Sequence, residues 1–249
     1  MASCANPLYS ETTPIPKADK QGAEENLEQS VTKNTPQAFY KYEGLHRYAI
    51  RWGPLKVGKA ELEIRKEGNK YNVRFDTWAS DLGRIFSDFK HASLHTTAVY
   101  NGKEFVPLKY RADSYYKDHE LHDFFIFHEN GMIMRNIKDS NEPMTLYADR
   151  NTKVPLTVIL NALINDIEKQ KDFSDLGHII AYRENKLLIL GGIFHEKEKA
   201  YEIFFTKEML PGGGPLKFFY NNDNVDASSF EMIYGGSKLT FKRKSYQSY

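Results

Sequence analysis

From the mid-forties onward, apolar residues recur at every second position. Tyr48, Ile50 and Trp52 alternate with polar neighbours, and Val57, Gly58, Ala60, Leu62 and Ile64 continue at a period near two. Glu67-Gly68-Asn69-Lys70 follows as a hairpin loop, because Gly and Asn tolerate positive φ. Tyr71, Val73, Phe75 and Thr77 then run back on one face, with Asn72, Arg74 and Asp76 on the other. This pattern predicts an antiparallel pair with one face in a core.

The rhythm breaks over 81–92. Leu82, Ile85, Phe86 and Phe89 fall at helical spacing, which predicts a short helix or a compact aromatic loop. Strand patterning resumes at Leu94–Tyr100 and Asn101-Gly102 reads as a tight hairpin turn. Phe105–Tyr116, Leu121–His128 and Met132–Lys138 continue a meander, with a further short strand at Thr145–Asp149. After Gly177 the strand candidates are His178–Tyr182, Lys186–Phe194, Lys199–Thr206, Leu216–Tyr220, Phe230–Tyr234 and Lys238–Tyr246. Pro211-Gly212-Gly213-Gly214-Pro215 reads as a loop.

One helix stands between the two sets of strands, at about 155–170. Pro155 suits its first turn, and Leu156, Ile159, Leu160, Leu163, Ile164 and Ile167 form an apolar stripe. Many strands, one helix and many strands again predict a mainly β fold. The expected form is a strongly curved antiparallel meander or incomplete β-barrel, with the helix covering it.

Residues 1–40 carry no such pattern. They are polar and Pro-containing, too poor in apolar residues for a packed core, and read as a disordered tether ahead of a single β-rich domain over 41–249. About 35 such residues of flexible chain span roughly 30–35 Å. Met1-Ala2-Ser3-Cys4 resembles the end of a bacterial lipobox, which makes Cys4 the lipidation candidate. On that expectation an upstream signal region has been removed. The competing reading is an appended Met1-Ala2-Ser3 and an idle thiol.

Composition narrows the classes. The net charge of +1, from 34 Lys and Arg against 33 Asp and Glu, argues against a strongly basic nucleic-acid binder. The chain has one cysteine, so it forms no internal disulfide. No apolar run approaches the ~20 residues of a membrane helix. Aromatics reach 14%, and they crowd two places: Tyr110, Tyr115, Tyr116, Phe124, Phe125 and Phe127 in the central meander, and Phe204, Phe205, Phe218, Phe219 and Tyr220 in the later one. Neighbours in a strand point to opposite faces, so one set fills a core and the other faces a concavity or a second packed layer.

The stretch Tyr48-Ala49-Ile50-Arg51-Trp52-Gly53-Pro54-Leu55-Lys56-Val57-Gly58-Lys59-Ala60-Glu61-Leu62 resembles the opening of a bacterial exported family known as domain of unknown function 3108. The W-x-x-x-x-x-G-x-A-x-L element is its most specific part. Phe105-Val106-Pro107-Leu108-Lys109-Tyr110, the helix after Val154-Pro155-Leu156-Thr157, and Phe230–Tyr246 with Gly235-Gly236 are similar to later segments of that family. The likeness spans about 42–246, and Glu208–Ser229 departs from it. It implies a β-rich periplasmic or envelope protein, and no activity, catalytic residue or cofactor.

Chemistry-bearing motifs are sparse. His91 and His95 share a face, and His119, His122 and Asp123 form a second group with His128 further on, but no zinc-type spacing accompanies them. There is no G-x-S-x-G element, and the Gly-rich 211–215 loop lacks the features of a phosphate loop. Asp113 and Glu120 have no spacing that marks glycosidase acids. No catalytic, cofactor-binding or metal residue is assigned. The leading expectation is a non-enzymatic protein of the bacterial envelope, membrane-tethered through Cys4, that binds a lipid or other hydrophobic ligand in a β-barrel-like concavity. The alternatives are a scaffold subunit with an envelope protein partner, and a glycan- or ester-acting hydrolase.

Overall fold

The computed structural model describes residues 37–137, 144–147, 152–164, 177–180, 187–206, 209, 214–221, 224–234 and 236–249. Cys4, the rest of the expected tether through residue 36, residues 165–170 of the expected helix and 211–213 of the Gly-rich loop lie outside them.

The strands are β1 (Gly44–Trp52), β2 (Leu55–Glu67), β3 (Lys70–Ala79), β4 (Phe89–Tyr100), β5 (Phe105–Tyr116), β6 (Glu120–Phe127), β7 (Met132–Ile137) and β8 (Met144–Tyr147), then β9 (His178–Ile180), β10 (Leu187–Ile189), β11 (Gly192–His195), β12 (Ala200–Phe205), β13 (Gly214–Asn221), β14 (Asn224–Tyr234) and β15 (Ser237–Gln247). The helices are α1 (Asp81–Phe86) and α2 (Pro155–Ile164). Thirteen strands form one sheet in the order β11-β12-β13-β14-β15-β1-β2-β3-β4-β5-β6-β7-β8, and β9 and β10 pair separately. The fold is mainly β, antiparallel throughout the large sheet, and not closed into a barrel. The first strand therefore sits inside the sheet, paired on one side with β2 and on the other with the last strand.

The sheet is strongly curled. Strands β14 and β3 are four spacings apart in the order, which in a flat sheet of ~4.8 Å steps is about 19 Å. Yet the rings of Phe230 on β14 and Phe75 on β3 lie 6.2 Å apart. Register shifts at Arg47/Tyr48, Ile50/Arg51, Thr97/Ala98 and Phe218/Phe219 mark bulges, which bend and twist the strands that carry them. Small residues allow the closest approach near the middle. A Cβ on Gly58 would stand 2.5 Å from the Trp78 carbonyl, and Ala60 beside it is buried. These are the Gly and Ala of the W-x-x-x-x-x-G-x-A-x-L element.

Helix α2 lies inside the concavity, against β14 on one arm and β3, β4 and β5 on the other. The sequence gives it one apolar stripe, but the structure buries it on nearly all sides, including Thr157 and Asn161. Both polar groups are satisfied. Thr157 Oγ1 accepts from Val154 N at 3.0 Å and donates to Val154 O at 2.9 Å. Asn161 Oδ1 accepts from Phe105 N at 2.6 Å, and its Nδ2 donates to Phe105 O at 3.1 Å. This side chain thereby completes the start of β5 as a neighbouring strand would.

Several boundaries differ from the sequence reading. The 3-10 turn Gln37–Tyr42 belongs to the body, with Phe39 in the core rather than in a tether. Phe89 opens β4 instead of extending a helix. Asn101-Gly102 is part of a four-residue connection, closed by Asn101 Oδ1 accepting from Lys103 N and Glu104 N at 2.9 Å each. The single strand expected over Lys186–Phe194 is two, because the chain leaves β10 at buried Leu190 and turns through Gly191 into the large sheet. Strand β14 begins six residues earlier than Phe230.

Two outcomes follow. Replacing Asn161→Leu leaves both Phe105 backbone groups buried and unsatisfied, with an expected loss of about 2–4 kcal/mol. Urea unfolding checks this as a lower midpoint with an unchanged slope. The second concerns His46, whose Nε2 lies 2.8 Å from Tyr42 O and whose ring is 4.6 Å from that of Tyr246. Burial holds this histidine below its ordinary value of 6.5; the Tyr42 carbonyl opposes that, and Arg243 adds to it. The unfolded chain then binds the proton more readily, so the contribution is complete above pH 6.5 and is lost as the pH falls through the lowered folded value. The drop in thermal midpoint between about pH 7.5 and about pH 5.5 is expected to be smaller in His46→Gln than in the unmodified protein. Equal drops would show that His46 does not contribute.

Candidate ligand-binding cavity

The two ends of the curled sheet differ. At one end the 3-10 turn inserts Phe39 against Tyr42, Tyr71 and Phe105, at ring distances of 5.8, 5.5 and 4.9 Å. All four rings are buried. Aromatic edge-to-face packing of this kind leaves little free volume. Toward the other end the same inward-facing rows continue, but the space between the arms is not filled. A cavity of about 360 Å³ lies there, within the usual range for small-ligand sites.

Both arms contribute walls. Ile50, Phe75 and Leu94 come from β1, β3 and β4, and Phe205, Phe230 and Leu239 come from β12, β14 and β15. Pro155 and Ile159 of α2 form part of the lining. Polar functions come from hydroxyls such as Thr77, Ser87, Ser114 and Ser237, and from Tyr116 and Tyr234. Among the described lining residues there is no Asp, Glu, Lys, Arg or His. The Ser114 hydroxyl beside the cavity is buried with no hydrogen-bond partner.

The mouth is built by the β1–β2 turn and α1. Ser80 caps α1 by accepting from Gly83 N at 3.2 Å, and Ser80 N donates to Val57 O at 2.9 Å. A Cβ on Gly83 would stand 2.2 Å from Val57 O, so only glycine lets the helix lie this close to β2. Trp52 lines the cavity and remains 37% exposed.

The residues weighed for other chemistry lie elsewhere. His91 and His95 do share the outer face of β4. His91 is stacked between Trp78 at 5.2 Å and Tyr115 at 5.5 Å, with Lys59 over the far face of Trp78. Its Nε2 faces an unpartnered Asp76 oxygen at 3.8 Å. His95 is flanked across the ladder by Arg74 and Arg111. His122 joins the two carboxylates considered as glycosidase acids, with Nδ1 2.7 Å from Asp113 and Nε2 3.0 Å from Glu120, again on the outer face. Asp123 points inward instead. Its carboxylate accepts from Arg135 Nε at 2.7 Å, and burial raises its pKa while the guanidinium opposes the rise. His119 stacks on Tyr116, and His128 Nε2 is buried without a partner. No three His, Cys, Asp or Glu side chains converge as metal ligands among the described residues.

The aromatic clusters divide by face. Tyr110, Phe125, Phe205 and Phe218 are buried, Tyr116 and Phe205 reach the cavity, and Tyr115 and Phe204 face outward. Ser114, Gly83, Asn161 and Phe39 were not marked by any sequence motif. The lone Asn in the apolar helix α2 is the signal the chain offers for one of them.

General acid–base catalysis needs an ionisable group within reach of substrate, and the described lining offers two tyrosines alone. The arrangement is suited to burying apolar surface. No family model, curated protein or solved structure matches the chain, so its likeness to domain of unknown function 3108 rests on the sequence motifs alone.

Proposed function

We propose that this protein is a non-enzymatic binder of a lipid acyl chain or another apolar ligand of similar girth, held in the cavity between the two sheet arms. The observation that carries the reading is an apolar, uncharged cavity of about 360 Å³ at the unplugged end of the sheet. The driving force is burial, at about 0.8 kcal/mol per methylene, so roughly eight methylenes contribute about 6 kcal/mol before ordering costs. The charged or strongly polar part of the ligand stays at the mouth, because the described lining holds no counter-charge for it. The envelope location and the tether through Cys4 are part of this proposal, and they rest on the sequence resemblance and the lipobox-like start.

A scaffold role is the second reading. Strand β11 is a sheet edge among the described residues, and Ile193 on it and Phe204 beside it on β12 are exposed. An open edge with apolar neighbours can accept a partner strand.

Ala92 faces inward on β4 and lines the cavity. Ala92→Trp is expected to fill the space and weaken binding of a fluorescent fatty acid by about tenfold or more, equivalent to ~1.4 kcal/mol or more, while the circular dichroism spectrum is kept. Unchanged affinity in a folded variant, or no saturable binding by the unmodified protein, would remove this reading. The scaffold reading predicts no fatty-acid binding and a loss of complex formation on charge substitution at Ile193.

A further inference from the structure

Three large apolar side chains stand exposed around the mouth. Trp52 and Leu55 face each other across the β1–β2 turn, and Ile85 projects from α1, which is packed on the start of β2. Their exposures are 37%, 42% and 74%. Elsewhere, Tyr40, Tyr246 and Tyr249 at the plugged end give their hydroxyls to Lys66, the Glu43 carbonyl and Glu63 respectively, Tyr40 accepting and the other two donating, while Phe204 and Ile193 are exposed at the far sheet edge. The mouth side chains have no polar group that ties Leu55 or Ile85 to the body.

The charges of the β1–β2 turn are positive, and the exposed acids near them, Asp81 and Asp88, lie on and just after α1. The turn reads Arg51-Trp52-Gly53-Pro54-Leu55-Lys56, two cations bracketing the apolar pair with no acid between them. Arg51 Nη1 donates to Pro54 O at 3.0 Å, which holds its guanidinium at the tip. On α1, Arg84 and Asp81 stand 3.6 Å apart and offset one another. A Trp beside aliphatic residues, flanked by Arg and Lys, is the composition that settles at a bilayer interface: the ring sits at headgroup level and the cations reach phosphates.

We infer that this rim is a docking surface for a lipid bilayer carrying anionic headgroups, so that the cavity mouth is presented to the membrane from which an apolar ligand is taken or to which it is given. The inference deepens the proposed function and rests on it for its purpose, but the docking itself does not need an occupied cavity. Leu55 and Ile85 lie outside the cavity lining, which separates the two claims.

The test uses the full chain with phosphatidylcholine vesicles, with and without phosphatidylglycerol, and in parallel a vesicle-free titration with a fluorescent fatty acid. The unmodified protein is expected to co-sediment with the anionic vesicles and to be released by added salt. The double variant Leu55→Glu/Ile85→Glu is expected to lose vesicle partitioning by about tenfold or more while its fatty-acid affinity is unchanged. Fatty-acid binding without co-sedimentation, equal partitioning of the variant, or co-sedimentation only when a membrane protein is present would each overturn the inference. Co-sedimentation that depends on Leu55 and Ile85, without any fatty-acid binding, would support the docking surface and remove the proposed function.

Discussion

Strand β1 enters the sheet with two partners, its hairpin mate β2 and the final strand of the chain. Seven register pairs, from Leu45↔Gln247 to Arg51↔Thr240, join the two arms through β1 and β15. Among the described residues no other strand pairing in the large sheet connects them, because its two edges, β8 and β11, do not meet. The inner-face contacts across the seam follow from this junction: Tyr48 on Phe230 at 5.3 Å, and Phe75 on Phe241 at 6.2 Å. The junction is also the longest closure in the chain. It is formed after a large loop-entropy cost, and topology of this kind folds slowly. The C-terminal strand thus completes the wall on which the cavity depends.

The chain treats the ends of the concavity unequally. Phe39, Tyr42, Tyr71 and Phe105 fill one end, and Asn161 fixes the helix to the first residue of β5 beside them. Inward charge on β6 and β7, Asp123 with Arg135, is paired there, and buried Lys153 pairs with Glu104 at 3.0 Å. The cavity walls are left apolar with scattered hydroxyls. Such a space attracts methylenes and repels ions, since a charge without a partner in low dielectric is costly. Ligand chemistry is therefore constrained more firmly than ligand identity.

Local patterning carried most of the architecture. The Tyr48–Thr77 alternation, the Glu67–Lys70 turn and the Phe105–Tyr116 strand read directly, because period-two burial and positive-φ residues are local signals. The helix at Pro155 was legible by its apolar spacing, but its burial on nearly all sides was not, since neighbours from both arms decide that. Asn101-Gly102 misled because an Asn side chain can close a wider turn by accepting two backbone N–H groups. The Lys186–Phe194 run looked like one strand because an apolar string does not record which sheet each half joins. The cavity had no sequence signature: Ile50, Phe75, Leu94, Phe205 and Phe230 look like core residues, and only the three-dimensional mismatch between the arms leaves space among them.

The most direct measurement of the account is paramagnetic broadening of assigned backbone amide signals by a nitroxide-labelled fatty acid. The account predicts broadening at Ala92, Ser114, Leu216 and Leu239, with Tyr71, Val73 and Phe105 spared. Broadening centred on Tyr71 and Phe105, or on no part of the chain, would contradict it.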